Sequence, residues 1–209
     1  MVVVAGGEPC PPEFLRHQVG PGTRLVAADR GAAYALAAGV VPDEVLGDFD
    51  SLEAAVVSDL RQRGVPLHAY RPDKDQSDLE LVLDHVLEGP VTELVVLCAL
   101  GGRLDHLLTN AGVLLSARRH NVSCRVLSPE TSLFYVVGDE PVEGTGGDWV
   151  TLLAMSDAVE GIWSSGLKYP WRGETLVRGS SLGLSNELLA EGAHIRAESG
   201  DLLVVHTRR

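Results

Sequence analysis

Residues 66–87 read PLHAYRPDKDQSDLELVLDHVL, and three local signals follow one another inside them. Pro66–Tyr70 is a short β-prone run. Asp73-Lys74-Asp75-Gln76-Ser77-Asp78-Leu79-Glu80 holds four acids and a lysine in eight residues. Asp78–Leu87 then places Leu79, Val82, Leu83, Val86 and Leu87 on one face of a helix. Strand, acidic turn and amphipathic helix make one βα unit.

Outward from this unit the alternation repeats. Val2–Ala5, Arg24–Ala28, Val45–Gly47, Leu94–Ala99 and Ser123–Leu127 read as further short buried strands. Leu104–Arg119 reads as a second strong helix, with Leu104, Leu107, Leu108, Ala111, Leu114 and Leu115 on its apolar face. Such alternation predicts a Rossmann-like α/β domain, a mostly parallel sheet covered by helices on both faces. After Ser128-Pro129-Glu130 the pattern changes. Leu133–Val137, Trp149–Met155, Thr175–Arg178, His194–Ala197 and Leu202–Val205 are β-rich runs between Gly, Ser, Asp and Glu turns. The expected organisation is an α/β domain over 1–129 and an all-β sandwich over 130–209.

In an open α/β sheet, ligands bind beyond the carboxyl ends of the strands. Four loops at those ends carry the chemistry. Asp29-Arg30-Gly31 follows the second strand, and Gly47-Asp48-Phe49-Asp50-Ser51 the third. Alternation along an extended segment would point Asp48 and Asp50 the same way, with Phe49 turned into the core. Two carboxylates so close repel unless a cation lies between them. The 73–80 loop brings more acids to a helix N-terminus, an end that favours phosphate. Gly101-Gly102-Arg103-Leu104-Asp105-His106 follows the fifth strand, where paired glycines let backbone N–H groups approach a phosphate. Taken singly, each loop also fits a bland reading: Asp50, Ser51 or Asp78 as a helix cap, Gly101-Gly102 as a plain turn. Neither a Walker A loop nor GxGxxG is present.

The net charge of −12 and the absence of a Lys/Arg cluster argue against nucleic acid as a partner. No apolar run approaches the ~20 residues that span a bilayer, so no membrane partner is expected. Cys10, Cys98 and Cys124 are odd in number and lack CxxC spacing, which fits free thiols in a reducing, cytoplasmic setting.

At the four loops the chain resembles the thiamine pyrophosphokinase family. The β half adds Ser165-Gly166-Leu167-Lys168-Tyr169-Pro170 and Gly183-Leu184-Ser185-Asn186-Glu187, so the resemblance runs in order from about residue 28 to 187. It implies ATP bound by the α/β domain, thiamine bound between the subunits of a homodimer, and pyrophosphate transfer to the thiamine hydroxyethyl group. It implies Mg²⁺ held mainly by Asp48, Asp50 and Asp78, with Asp29 nearby. Arg30, Gly31, Ser77, Gly101, Gly102, Arg103 and Asp105 would lie along the substrate cleft. Lys74 would neutralise a terminal phosphate oxygen, and Asp75 or Asp78 would orient the attacking hydroxyl. Ser185 and Asn186 would contact thiamine, with Tyr169 or Trp171 stacking on it. The chain departs from common family patterns at Ser77, where threonine is frequent, at Arg30, often glycine, and at Tyr169, sometimes tryptophan. Rival readings are a pyrophosphokinase for another heterocyclic alcohol such as a hydroxymethylpterin, a metal-dependent phosphohydrolase, and a non-catalytic nucleotide- or thiamine-sensing module.

Overall fold

The computed structural model describes every residue from Met1 to Arg209 except Pro72 and Lys74. Short Val/Leu/Ala runs form the first strands: β1 (Val2–Val4), β2 (Leu25–Ala28), β3 (Glu44–Gly47), β4 (Leu67–Ala69), β5 (Glu93–Leu97) and β6 (Ser123–Leu127). They pair in parallel in the order β4-β3-β2-β1-β5-β6. Successive residues point to opposite faces, so Val3 and Val26 pack under one helical layer while Val2 and Val4 pack under the other. Helices α1 (Pro12–Gln18), α2 (Gly31–Ala37) and α3 (Ala54–Gln62) cover one face. The opposite face is covered by α4 (Asp78–Leu87), α5 (Leu104–Val113) and α6 (Leu115–Arg119). From β1 the chain builds to β4 on one side, then crosses back to lay down β5 and β6 on the other. The order therefore reverses between β1 and β5, where an open α/β sheet leaves a ligand crevice.

The β half is joined more closely to this sheet than the sequence led us to expect. Thr131 N–H donates to Ser128 Oγ at 3.0 Å and Ser128 N–H to Thr131 O at 2.8 Å, turning β6 back on β7 (Thr131–Tyr135) as an antiparallel hairpin. The sheet continues through β14 (Leu202–Thr207), β9 (Trp149–Ala154) and β12 (Asn186–Glu187), giving ten strands. Continuing the sheet satisfies the open edge of β6 within the chain. A second antiparallel sheet, β11-β10-β13-β8, packs against this extension. Its strands are β8 (Asp139–Val142), β10 (Ala158–Ser165), β11 (Arg172–Val177) and β13 (Ala193–Arg196). Phe134, Val150, Leu152 and Val204 from one layer meet Val142, Ile162, Leu176 and Ile195 from the other in a single apolar core.

Two expectations about helices need correction. Leu104–Arg119 divides at Leu114, which keeps a helical backbone (φ −60°, ψ −18°), so the break is slight. More importantly, the apolar face of α5 is only partly covered: Leu107 and Ala111 are half-buried, whereas Leu104 is 69% and Leu108 65% exposed. Periodicity identifies an apolar stripe but not what covers it.

One buried charge locks the far end of the β half. Asp148 accepts from the backbone N–H of Thr145 (3.0 Å) and of Arg209 (3.1 Å), and lies 3.0 Å from His206 Nε2. Burial disfavours its charge, but these hydrogen bonds outweigh burial and bring its pKa from 3.8 down to about 2. A depressed carboxylate contributes stability that is complete above its ordinary value and lost as pH falls toward the folded value. Asp148→Asn is therefore expected to cost ~1–3 kcal/mol at neutral pH. The deficit relative to wild type should shrink as pH falls from 3.8 to about 2, read by urea unfolding across that range.

Candidate active site

Backbone strain marks the crevice before any side chain does. Five described non-glycine residues have positive φ, and three of them lie just beyond strand ends at this rim: Asp29 (43°), Phe49 (62°) and Cys98 (58°). Each such conformation costs ~1–3 kcal/mol and persists only where its surroundings hold it. Gly47 shows how tight the rim is. A Cβ there would lie 2.8 Å from Asp29 Cβ, so a residue without a side chain lets the end of β3 pass beside the end of β2.

This close approach gathers the carboxylates. Oxygens of Asp29, Asp48 and Asp50 all lie within 4.8 Å of one another. The route differs from the strand alternation expected from sequence. Phe49 leaves the extended region, and Asp50 N–H donates to Asp48 Oδ1 at 3.1 Å in a tight Asx turn that folds the two aspartates together. Asp50 is exposed, and its carboxyl titrates above the ordinary range. The charge of Asp48 is the largest cause, and those of Asp29 and Asp78 add to it. Asp29 is 6% exposed. Its Oδ2 accepts from Ser51 Oγ, while its buried Oδ1 has no hydrogen-bond partner among the described residues. A buried carboxylate oxygen without a donor, beside two mutually repelling carboxylates, is what a bound divalent cation resolves. The donor set is all oxygen, which suits Mg²⁺.

A cavity of about 700 Å³ opens over this cluster. Of the residues predicted from sequence, Asp29, Arg30, Asp48, Asp50, Ser77 and Asp78 line it on the β2–β4 side. Gly101, Gly102 and Arg103 line it on the β5 side. Ser77 is the N-cap of α4, accepting from Glu80 N–H at 3.2 Å, which leaves Asp78 as the first helical residue rather than the cap. Nor do Asp50 and Ser51 cap a helix, since α3 begins at Ala54 after Glu53. Gly31, Asp75 and Asp105 are not among the lining residues. Asp75 is exposed, and Asp105 takes both Arg103 Nε (3.1 Å) and an Arg103 terminal nitrogen (2.5 Å). The Arg103 hydrogen bond, then that from the His106 backbone N–H and the charge of Arg103, holds Asp105 below its ordinary pKa. Lys74 lies outside the described residues.

Sequence reasoning missed Glu8. It follows Gly6-Gly7 at the end of β1, and its Oε2 accepts from Gly102 N–H at 3.1 Å, occupying one of the donors expected to face phosphate. The available signal was position: the loop after β1 stands at the reversal point of the sheet.

The second cluster lies in the β half. Tyr169, Pro170, Trp171, Glu174, Leu182, Leu184 and Asn186 line an open pocket of about 270 Å³. Tyr169 is 64% exposed and Trp171 6%. Asn186 is buried and grips the Tyr169 backbone, accepting its N–H at 3.0 Å and donating to its carbonyl at 2.7 Å. Ser185, with φ 55°, is the residue just before Asn186.

An acid-rimmed parallel α/β sheet continued into a β layer that bears an aromatic pocket defines a two-part α/β protein with a candidate site in each half. Two family descriptions match the chain. "Thiamin pyrophosphokinase, catalytic domain" covers residues 20–126, and "Thiamin pyrophosphokinase, vitamin B1 binding domain" covers 140–202. The thiamine pyrophosphokinase of Bacillus subtilis (strain 168) is 28% identical over 207 residues, spanning 98% of this chain and 97% of the relative. A Bacillus subtilis thiamine pyrophosphokinase crystal structure superposes with a TM-score of 0.86 at 26% identity, over 99% of this chain and 98% of that one. The thiamin pyrophosphokinase of Geobacillus thermodenitrificans gives 0.84 at 30%, over 99% and 97%. The chain belongs to the thiamin pyrophosphokinase family, and with it to the thiamine diphosphokinase class of transferases.

Proposed function

We propose that the chain moves an intact pyrophosphate from Mg²⁺-bound ATP to the hydroxyethyl oxygen of thiamine, releasing AMP. The observation that carries this reading is the convergence of Asp29, Asp48 and Asp50 under a nucleotide-sized cavity, with the buried Asp29 Oδ1 unpartnered among the described residues. Asp48 and Asp50 would hold the ion, with Asp29 and Asp78 on either side. Bound there, Mg²⁺ supplies neutralisation of phosphate-oxygen charge.

The chain's own groups do the positioning on which phosphoryl transfer depends. Arg103, presented from the loop after β5, faces the polyphosphate as a fixed cation. Asp78 lines the cavity where Asp75 does not, so we assign it to orient the attacking hydroxyl and take its proton. The new bond joins the thiamine oxygen to the β-phosphorus, the bond from that phosphorus to the bridging oxygen breaks, and AMP keeps that oxygen. The cationic thiazolium suits the pocket of Tyr169 and Glu174, an aromatic face with a carboxylate beside it.

Division of labour falls at about residue 129, with the nucleotide end before it and the thiamine end after. A homodimer is supported by apolar side chains left exposed in both halves, Leu104 and Leu108 on α5 and Leu182 and Leu184 at the aromatic pocket. No described helix is long and apolar enough to cross a membrane. The three free cysteines fit a cytoplasmic site of action.

Product analysis tests the reading. With ATP, Mg²⁺ and thiamine, AMP and thiamine diphosphate should appear in equal amounts. ADP, free phosphate or unconsumed ATP would overturn it, and a turnover that prefers a hydroxymethylpterin would replace the acceptor.

A further inference from the structure

At the other end of the parallel sheet, away from the aspartates, three side chains from three elements meet. Glu44 opens β3, His68 lies in the edge strand β4, and His85 stands in the last turn of α4. His68 Nε2 is 3.1 Å and His85 Nε2 3.0 Å from the same atom, Glu44 Oε2. All three donor atoms lie within 4.8 Å of one another. Among the described residues this and the aspartate cluster are the two groups so disposed.

The geometry is fixed by packing. The register of β3 on β4 pairs Leu46 with His68, two residues along from Glu44. Leu83, Val86 and Leu87 bury the face of α4 that holds His85 in place. Glu44 is buried, and the Arg24 guanidinium engages its other oxygen, Oε1. That contact orients the carboxylate as an outer-shell partner orients a metal ligand. Burial opposes the Glu44 charge, but hydrogen bonds from Arg24 and His85 outweigh it and hold the carboxyl below its ordinary value. The two imidazoles are partly open to solvent, so a fourth position is accessible to water.

A tetrahedral ion with ligands at ~2.0–2.1 Å separates its donors by ~3.3 Å. The 3.0 and 3.1 Å edges to Glu44 need a few tenths of an ångström of opening, and the third edge, between the two imidazoles, lies within 4.8 Å. Two imidazole nitrogens and one carboxylate oxygen favour a borderline ion such as Zn²⁺ or Co²⁺ over Mg²⁺, which prefers oxygen. We propose that Glu44, His68 and His85 bind one divalent transition-metal ion of the zinc type, at a site separate from the carboxylate centre. The ion ties α4, whose opposite end carries Ser77 and Asp78, to β3 and β4. This inference does not rest on pyrophosphate transfer.

The test uses metal-stripped full chain with excess Mg²⁺ present, titrated with Co²⁺ and followed by visible absorption and calorimetry. One equivalent should bind with the absorption of a nitrogen-ligated ion. His68→Ala and His85→Ala should each weaken binding by about 100-fold or more, since even outer-shell changes cost 10–100-fold. Asp48→Asn should leave the cobalt spectrum unchanged. Zn²⁺ at about 100 times its Kd should raise Tm by ~5–10 °C in wild type and not in His68→Ala. No nitrogen-type absorption, or Co²⁺ affinity unchanged in His68→Ala, overturns the proposal. Should His85→Ala fail to fold, His68→Ala decides alone, because that side chain is 42% exposed on an edge strand.

Discussion

Asp48→Asn is expected to lower kcat by about two to four orders of magnitude and to raise the Mg²⁺ concentration needed for half-maximal rate. The substitution keeps the shape of the side chain and removes its charge. Asp50 is held above its ordinary pKa chiefly by Asp48, so the two carboxylates repel in the folded protein. Removing one charge relieves that repulsion, and the melting temperature should stay level or rise while activity falls. Loss of activity without loss of stability separates a group that serves the ion from one that serves the fold. Asp29→Ala should behave differently. Asp29 is buried, accepts from Ser51 Oγ and holds a positive φ; alanine removes the acceptor and disfavours that backbone, so the variant should lose both activity and stability. Measured kcat, Mg²⁺ dependence and Tm for the two variants give four outcomes. Near-normal kcat in Asp48→Asn would remove the metal assignment.

The contrast between these aspartates shows how far the sequence could be read. Strand–helix alternation located all six parallel strands and α4 to within a residue or two, because continuous apolar runs and one-faced spacing are strong signals. The four loops were legible because acids and paired glycines stood at strand ends. What could not be read was three-dimensional closure. The resemblance put Asp29 near Asp48 and Asp50, but the spacing within one loop does not report their close approach, which Gly47 makes by bringing two strand ends together. Glu8 enters the cavity for the same reason, from a neighbouring strand far away in sequence. The long strand β10 escaped notice because Gly161, at φ 61°, sits where its register shifts between Val159 and Ile162 and breaks the two-residue period. Strand β8 escaped because it contains Pro141, which ordinarily argues against a strand. The exposed Leu104 and Leu108 at the start of α5 could not be foreseen, because an apolar stripe looks alike whether or not a core covers its whole length.

Tyr169 and Trp171 differ sharply in burial, and different effects are expected on removing each. Tyr169→Ala should raise the KM for thiamine by about 5- to 100-fold with kcat little changed, since cation–π and stacking contacts contribute ~1–3 kcal/mol. Its stability should hold, because the ring is largely in solvent and only its backbone is gripped by Asn186. Trp171→Ala should do the reverse. That side chain is 6% exposed within the core between the two β layers. Its removal is expected to cost ~3–5 kcal/mol, lowering Tm by ~6–20 °C. Any rise in thiamine KM for Trp171→Ala should vanish when the assay is run well below its Tm. Asn186→Ala connects the two cases. It frees the backbone of Tyr169 without touching the ring, so it should raise KM in the same direction as Tyr169→Ala while leaving the ring's chemistry intact. The opposite pattern, with KM unchanged in Tyr169→Ala and raised in a fully folded Trp171→Ala, would move the thiamine contact from the open ring to the buried one.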